Sequence, residues 1–243
     1  MNRFFVIDEE ISDGIVHLDG ENHKHINKSL RMKTGEKIEL SDGKCSEYIG
    51  EIIEINKTNV GVKILRQYQN KSEPTIEVSL YQGIPKGQKM DLIVQKAVEL
   101  GVKNIHPIIM HRTVVEIEKK SNKKIERWQK ISEEAAKQSK RGIIPKVNNV
   151  MHINDLPIEM KNNQLNIIAY EDEKKQKIKE VLANNLTPKK IGILIGPEGG
   201  ITEKEHELIT SIGGISISLG ERILRTETAG ISLVSMLMYH YEM

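Results

Sequence analysis

An α/β protein in two parts is predicted, a small all-β domain followed by a larger domain whose mostly parallel sheet is covered by helices. Three observations predict it. Residues 1–70 run through short β-rich stretches separated by turn signals. From Ile76 onward, apolar strand-like runs alternate with amphipathic helical stretches, as β–α–β units do. Residues 69–74, QNKSEP, are polar and contain a proline, so they read as a linker between domains at 1–70 and 74–243.

In the first part, residues 3–7, 14–18, 37–41, 48–55 and 60–65 read as strands, and a small barrel is their natural closure. The turns are Asp13-Gly14, Thr34-Gly35 and Lys57-Thr58-Asn59. One insert, residues 23–32, breaks the β pattern and carries Lys24, Lys28 and Arg31 at roughly helical spacing, which makes a basic face. His23 and His25 have no cysteine or carboxylate at ligand spacing, so no metal site is expected there.

In the second part, residues 76–81 read as a strand and 83–87 as a turn. Residues 90–100 read as a helix with Met90, Ile93, Val94, Ala97 and Leu100 on one face and Gly101 as its stop. A strand over 104–110, a helix over 122–138 with Ile125, Trp128, Ile131 and Ala135 on one stripe, a strand over 165–170 and a helix over 174–186 follow. The apolar run 191–195 then breaks into Gly196-Pro197-Glu198-Gly199-Gly200, a backbone shaped to pass close to something. Thr202 and Glu205 form a capping box, and Gly213 ends the helix that it starts. A second strand, 215–219, breaks at Gly220 into a loop with two arginines and two glutamates before an apolar last helix from Ile231. Loops at the carboxyl ends of parallel strands are where open α/β sheets bind ligands, so these two should line one pocket.

The formal charge is only +2, but residues 119–146 carry ten Lys/Arg against three acids, and residues 22–35 carry four against none. Such localised positive fields suit a polyanion, and a lysine-rich surface kept for solubility is the plain alternative. One cysteine, Cys45, excludes an internal disulfide and fits a reducing cytosol. No signal pattern or long apolar run appears, so a soluble cytoplasmic protein is expected. Neither GxGxxG after the first strand nor GxxxxGK[ST] is present, which speaks against a Rossmann dehydrogenase or a P-loop ATPase.

Two words, Ile195-Gly196-Pro197-Glu198-Gly199-Gly200 and Leu219-Gly220-x-Arg222-Ile223-Leu224-Arg225-x-Glu227-Thr228-Ala229, resemble the RsmE family of the SPOUT class of methyltransferases. The resemblance extends through Arg3-Phe4-Phe5, Leu30-Arg31, Lys96-Ala97-x-Glu99-Leu100-Gly101 and Glu134-Ala135-Ala136-x-Gln138-Ser139-x-Arg141. It implies a PUA-like RNA-binding barrel and a SPOUT α/β trefoil-knot domain. The implied activity is transfer of a methyl group from S-adenosylmethionine to N3 of a uridine in 16S ribosomal RNA. The cofactor would lie against Tyr170, Glu171, Leu194, Ile195, Gly196, Pro197, Gly199, Gly200, Leu219, Gly220, Ile223, Leu224 and Thr228. Arg225 and Arg141 are the expected stabilisers of the reacting base, and Glu198 and Glu227 the candidate proton acceptors, with an Arg225–Glu227 ion pair as the structural alternative. RNA contacts are expected at Arg3, Lys24, Lys28, Arg31, Lys86, Arg112 and Arg141, on the small ribosomal subunit or its RNA. The last helix is apolar on more sides than one core can use, which, with the resemblance, implies a homodimer. An RNA-binding protein with a silent SPOUT domain, and a SPOUT enzyme acting on another RNA, are the alternatives.

Overall fold

The structure, a computed structural model, describes residues 1–6, 11–114 and 121–242. Ile7, Lys119 and Lys120, which the sequence reading placed in a strand and in a basic patch, lie outside the described residues. The chain divides into two compact units: residues 1–73 with 136–144, and residues 74–135 with 145–243. The segment 136–144, expected in the second domain, therefore belongs to the first unit.

In the first unit, β1 (Arg3–Phe5), β2 (Ile11–Ser12), β3 (Ile15–Leu18), β4 (Lys37–Ser41), β5 (Ser46–Ile55) and β6 (Val60–Gln69) form one sheet in the order β1-β4-β5-β6-β3-β2. Period-two alternation decides its faces, since Phe4 pairs with Leu40, and Leu40 with Tyr48, all on the core side. Val16, Leu18, Ile38, Ile52, Val60 and Val62 complete a core closed to solvent. Each such side chain stabilises the fold by about 1.5–3 kcal/mol relative to exposure. The basic insert folds as α1 (Gly20–Lys24) and a π turn (His25–Ser29), anchored by buried Ile26 and Met32. His23 is buried there, its Nε2 3.0 Å from the carbonyl of Asn56.

In the second unit, β7 (Glu77–Gly83), β8 (Asn104–Ile109), β9 (Lys146–Val147), β10 (Met151–His152), β11 (Leu165–Ala169), β12 (Lys190–Ile195) and β13 (Ile215–Ile217) pair in parallel in the order β10-β8-β7-β12-β11-β13, with β9 on β8. Helices α2 (Lys89–Glu99), α3 (Ser121–Gln138), α4 (Leu156–Met160), α5 (Ile178–Asn184), α6 (Glu203–Thr210) and α7 (Thr226–Glu242) connect the strands and complete the chain. Helix α2 buries Met90, Ile93, Val94 and Ala97, the stripe its spacing predicts. Gly101 follows at φ +105°, a conformation that L side chains rarely adopt, and a Cβ there would stand 2.7 Å from Pro74 Cγ.

Two helix starts differ from expectation for identifiable reasons, and a few short elements were not expected. Helix α5 starts at Ile178 rather than 174 because Glu173 Oε1 takes the amides of Lys175 and Gln176, while Gln176 O accepts from Ser218 N beyond β13. The last helix starts five residues earlier than Ile231, at Thr226, whose side chain is engaged below. The short elements β2, β9, β10 and α4 escaped the sequence because two to five residues cannot show a period.

Candidate ligand pocket

Strands β11, β12 and β13 are adjacent and parallel, so Ala169, Ile195 and Ile217 end side by side, and the loops that follow face one another. They enclose a cavity of about 370 Å³, within the roughly 300–1,000 Å³ typical of ligand pockets. Its walls come from 169–171 with Lys174, from 195–198 with 200 and 201, from 217–226 with Ala229, and from Lys89. Of the sequence-predicted cofactor residues it brings together Tyr170, Glu171, Ile195, Gly196, Pro197, Gly200, Leu219, Gly220, Ile223 and Leu224.

Each glycine of the first loop has its own reason. Gly200 sits at φ +74°, and an added Cβ would lie 2.6 Å from Glu171 Oε1, so the carboxylate of Glu171 rests on this glycine. Gly196 is closed from below by Ile201 Cγ1, 2.9 Å from its virtual Cβ. Gly199 faces the other way: its virtual Cβ meets Arg112 Cβ at 2.8 Å, and Arg112 Nη1 donates to Gly199 O at 2.6 Å. Gly199 is thus fixed by packing on Arg112 and is absent from the cavity wall, a correction to its assignment as a cofactor contact. The capping box is present as the sequence indicated, with Glu205 N donating to Thr202 Oγ1 and Thr202 N to Glu205 Oε2, and it fixes the exit of the loop.

Leu194 and Thr228 also leave the predicted set. Leu194 is wholly buried among Tyr81, Ile168 and Ile209, because strand alternation turns it to the face opposite Ile195. Thr228 is exposed in the first turn of α7, off the cavity wall. Glu227 lies in that same turn and is likewise off the wall; its Oε2 is buried without a protein hydrogen bond. Arg225 lines the cavity and is exposed.

Glu198 is committed elsewhere. Its Oε1 accepts from Lys89 Nζ at 2.7 Å and from Lys86 N at 3.1 Å, so it ties the start of α2 to the glycine loop. Burial opposes its ionisation, but the Lys89 ammonium and the backbone amides outweigh that and hold the carboxyl below the usual range. A carboxylate so held is a poor proton acceptor, which corrects its assignment as a base.

Two arginines are corrected as well. Arg141 lies in the first unit, only 2% exposed, with Nε and Nη2 each 2.8 Å from the two carboxylate oxygens of Glu73. Arg3, its side chain 6% exposed, pairs with Glu47 at 2.7 Å and donates to Arg141 O at 2.6 Å. Both guanidinium groups are consumed in fixing 136–144 within its unit, so neither is presented to RNA or to a reacting base. By contrast, Lys24, Lys28, Arg31 and Lys86 are exposed.

Three features were not found by sequence reasoning. Lys89 reaches the cavity from the start of α2. His206 of α6 stacks on Tyr170 with ring centroids 4.2 Å apart and places Nε2 2.5 Å from Ser216 Oγ, so it fixes one wall. Gln82 and Thr226 form a buried pair beneath the loops. For Thr226 the local signal was only that of a threonine ahead of an apolar run, a helix-start cue that says nothing of its pairing with Gln82.

Comparison with known proteins agrees with this geometry. An RNA methyltransferase domain family matches residues 71–238, and an RNA methyltransferase PUA domain family matches residues 18–65. The Bacillus subtilis ribosomal RNA small subunit methyltransferase E is 35% identical, covering 100% of this chain and 98% of its own. The crystal structure of a ribosomal RNA small subunit methyltransferase E from Neisseria gonorrhoeae, bound to S-adenosyl methionine, matches with a TM-score of 0.87 and 31% identity over 98% of this chain and 97% of that one. A Legionella pneumophila methyltransferase structure with bound cofactor matches with a TM-score of 0.87 and 32% identity over 98% and 96%.

Proposed function

The chain belongs to the ribosomal RNA small subunit methyltransferase E family and is an S-adenosylmethionine-dependent rRNA methyltransferase; on that premise we propose that it methylates N3 of a uridine in 16S rRNA, using the cavity above β11, β12 and β13 as its donor site. The observation that carries the reading is the convergence of the two glycine loops on one cavity with Arg225 in its wall. S-adenosylmethionine supplies an electrophilic methyl group on a sulfonium. The residues present fit such a ligand. Gly196 and Gly200 keep side chains off the loop backbone, residues 217–224 offer amides and carbonyls, and the Glu171 carboxylate suits ribose hydroxyls.

What the chain must then do is align the acceptor nitrogen and manage its proton. Uridine N3 is buried in a Watson–Crick pair, so the target base has to be unpaired or turned outward. Arg225 is the group assigned to the negative charge that spreads over the uracil oxygens as the proton leaves. Of the two candidate acceptors, Glu198 is paired with Lys89 and Glu227 lies off the cavity wall, so neither is assigned the proton. The exposed cations Lys24, Lys28 and Arg31 of the first unit, with Lys86 and Arg112 of the second, would hold RNA phosphates.

Helix α7 exposes Tyr239 at 73% and Met236 at 37%, and a homodimer through this helix would cover them. Light scattering at micromolar concentration should give twice the chain mass. The activity is tested by nucleoside mass mapping of 16S rRNA from cells lacking the gene, where a single N3-methyluridine should disappear and return on complementation. An unchanged nucleoside map would refute the assignment.

A further inference from the structure

A buried hydrogen-bonded chain runs from Gln82, which is off the cavity wall, to Thr226 and Gly196, which line it. Gln82, at the end of β7, is completely buried, and its Nε2 donates to Gly83 O at 2.9 Å and to Thr226 Oγ1 at 2.8 Å. Thr226, the first residue of α7, donates its hydroxyl proton to Gly196 O at 2.6 Å. The direction of the chain is fixed by its own bonding: with its only proton on Gly196 O, the Thr226 oxygen can only accept, so Gln82 must present its amide nitrogen. Three segments distant in sequence, the end of β7, the glycine loop and the start of α7, are thereby joined at one point.

Packing leaves this point little freedom. A Cβ on Gly83 would stand 2.6 Å from Pro197, and one on Gly230, a turn into α7, would stand 3.4 Å from Gln82 Oε1. Gly196 and Thr226 both line the cavity, whereas Gln82 does not. A shift of the Gly196 carbonyl therefore moves both cavity walls at once.

We propose that Gln82 is a positioning residue for the donor site, acting through the Thr226 hydroxyl to hold the Gly196–Gly200 loop and the first turn of α7 in the arrangement that binds S-adenosylmethionine. This rests on the cavity being the donor site, and it adds a residue that no local motif marks. The glutamine amide is required because the Gly83 carbonyl and the Thr226 oxygen are both acceptors. An ionised carboxylate in its place would offer no donor to either.

The test is calorimetric titration of the full-length protein with S-adenosylmethionine and with its demethylated product, alongside thermal melts and single-turnover methylation at saturating cofactor. Wild type is the control for the site itself: if it binds neither ligand, the donor-site reading fails, independently of Gln82. With wild type binding, Thr226→Val, nearly isosteric but without the hydroxyl, should weaken binding on the order of ten-fold, the scale of a buried hydrogen bond left unmade. Thr226→Ser should restore it to within about two-fold. Gln82→Glu should bind progressively worse as pH rises, since only its protonated form carries a donor, and the saturated single-turnover rate should change less than the affinity does. Melting temperatures falling in both Thr226→Val and Gln82→Glu with cofactor affinity untouched would make the network a fold stabiliser only and overturn the proposal.

Discussion

Replacing Gly200 by alanine separates backbone strain from loss of the site, because a second glycine provides the control. Gly200 and Gly213 both sit at positive φ, +74° and +90°, and an alanine at either is strained. That strain costs roughly 1–2 kcal/mol, which for a chain of this size lowers Tm by about 2–4 °C per kcal/mol. At Gly213 nothing lies within 4 Å of the added Cβ, so the strain is the whole effect. At Gly200 the Cβ would come 2.6 Å from Glu171 Oε1, the mobile end of a side chain that can swing aside. The two variants should therefore melt within a few degrees of one another, yet only Gly200→Ala displaces a carboxylate from the cavity wall. Loss of a charge-assisted hydrogen bond is worth about 1.5–3 kcal/mol, or on the order of ten- to a hundred-fold in Kd. Calorimetry with S-adenosylmethionine reads it directly. Gly200→Ala should bind that much more weakly, and Gly213→Ala like wild type. Equal affinity in all three proteins would refute a role for the Glu171–Gly200 contact in binding.

Arg225→Ala should lower the single-turnover rate by about 100-fold or more, the scale of one preorganised donor, with cofactor affinity little changed; raising the pH should partly restore the rate, because uridine then arrives ionised more often. Burial pushes His106 down to about 4, with a smaller contribution from Lys146. The unfolded chain thus gains this proton first, and the stability present above pH 6.5 should fall on acidification between 6.5 and about 4, by a few kcal/mol in total; His106→Gln should flatten denaturant-derived stability in that window. Charge reversal at Lys24, Lys28 and Arg31 should weaken RNA binding and reduce its salt dependence without changing the base that is methylated, as a filter-binding salt series with product mapping would show.

What the sequence determined by itself was whatever a few adjacent residues decide. The stripe Met90, Ile93, Val94 and Ala97 specifies one face of a helix whatever it packs on, and Thr202 with Glu205 starts α6 through bonds three residues apart. Alternating strands and helices, and glycine words that follow β12 and β13, made the sheet and its ligand-facing edge legible as well. Tertiary structure decided the partners. Glu198 meets Lys89 across 109 residues, Arg141 meets Glu73 across 68, Gly199 O meets Arg112 across 87, and Gln82 meets Thr226 across 144. No periodicity encodes such pairs, because periodicity reports which face of an element is apolar and nothing about which charge or amide another element brings to it. A carboxylate or guanidinium in a motif is chemically competent for several roles, and the one it takes is set by the nearest charge and the water it loses on burial. In this chain those two quantities turned Glu198 into a tie for α2, buried Arg3 and Arg141 in a polar clasp, and left Arg225 in the cavity wall.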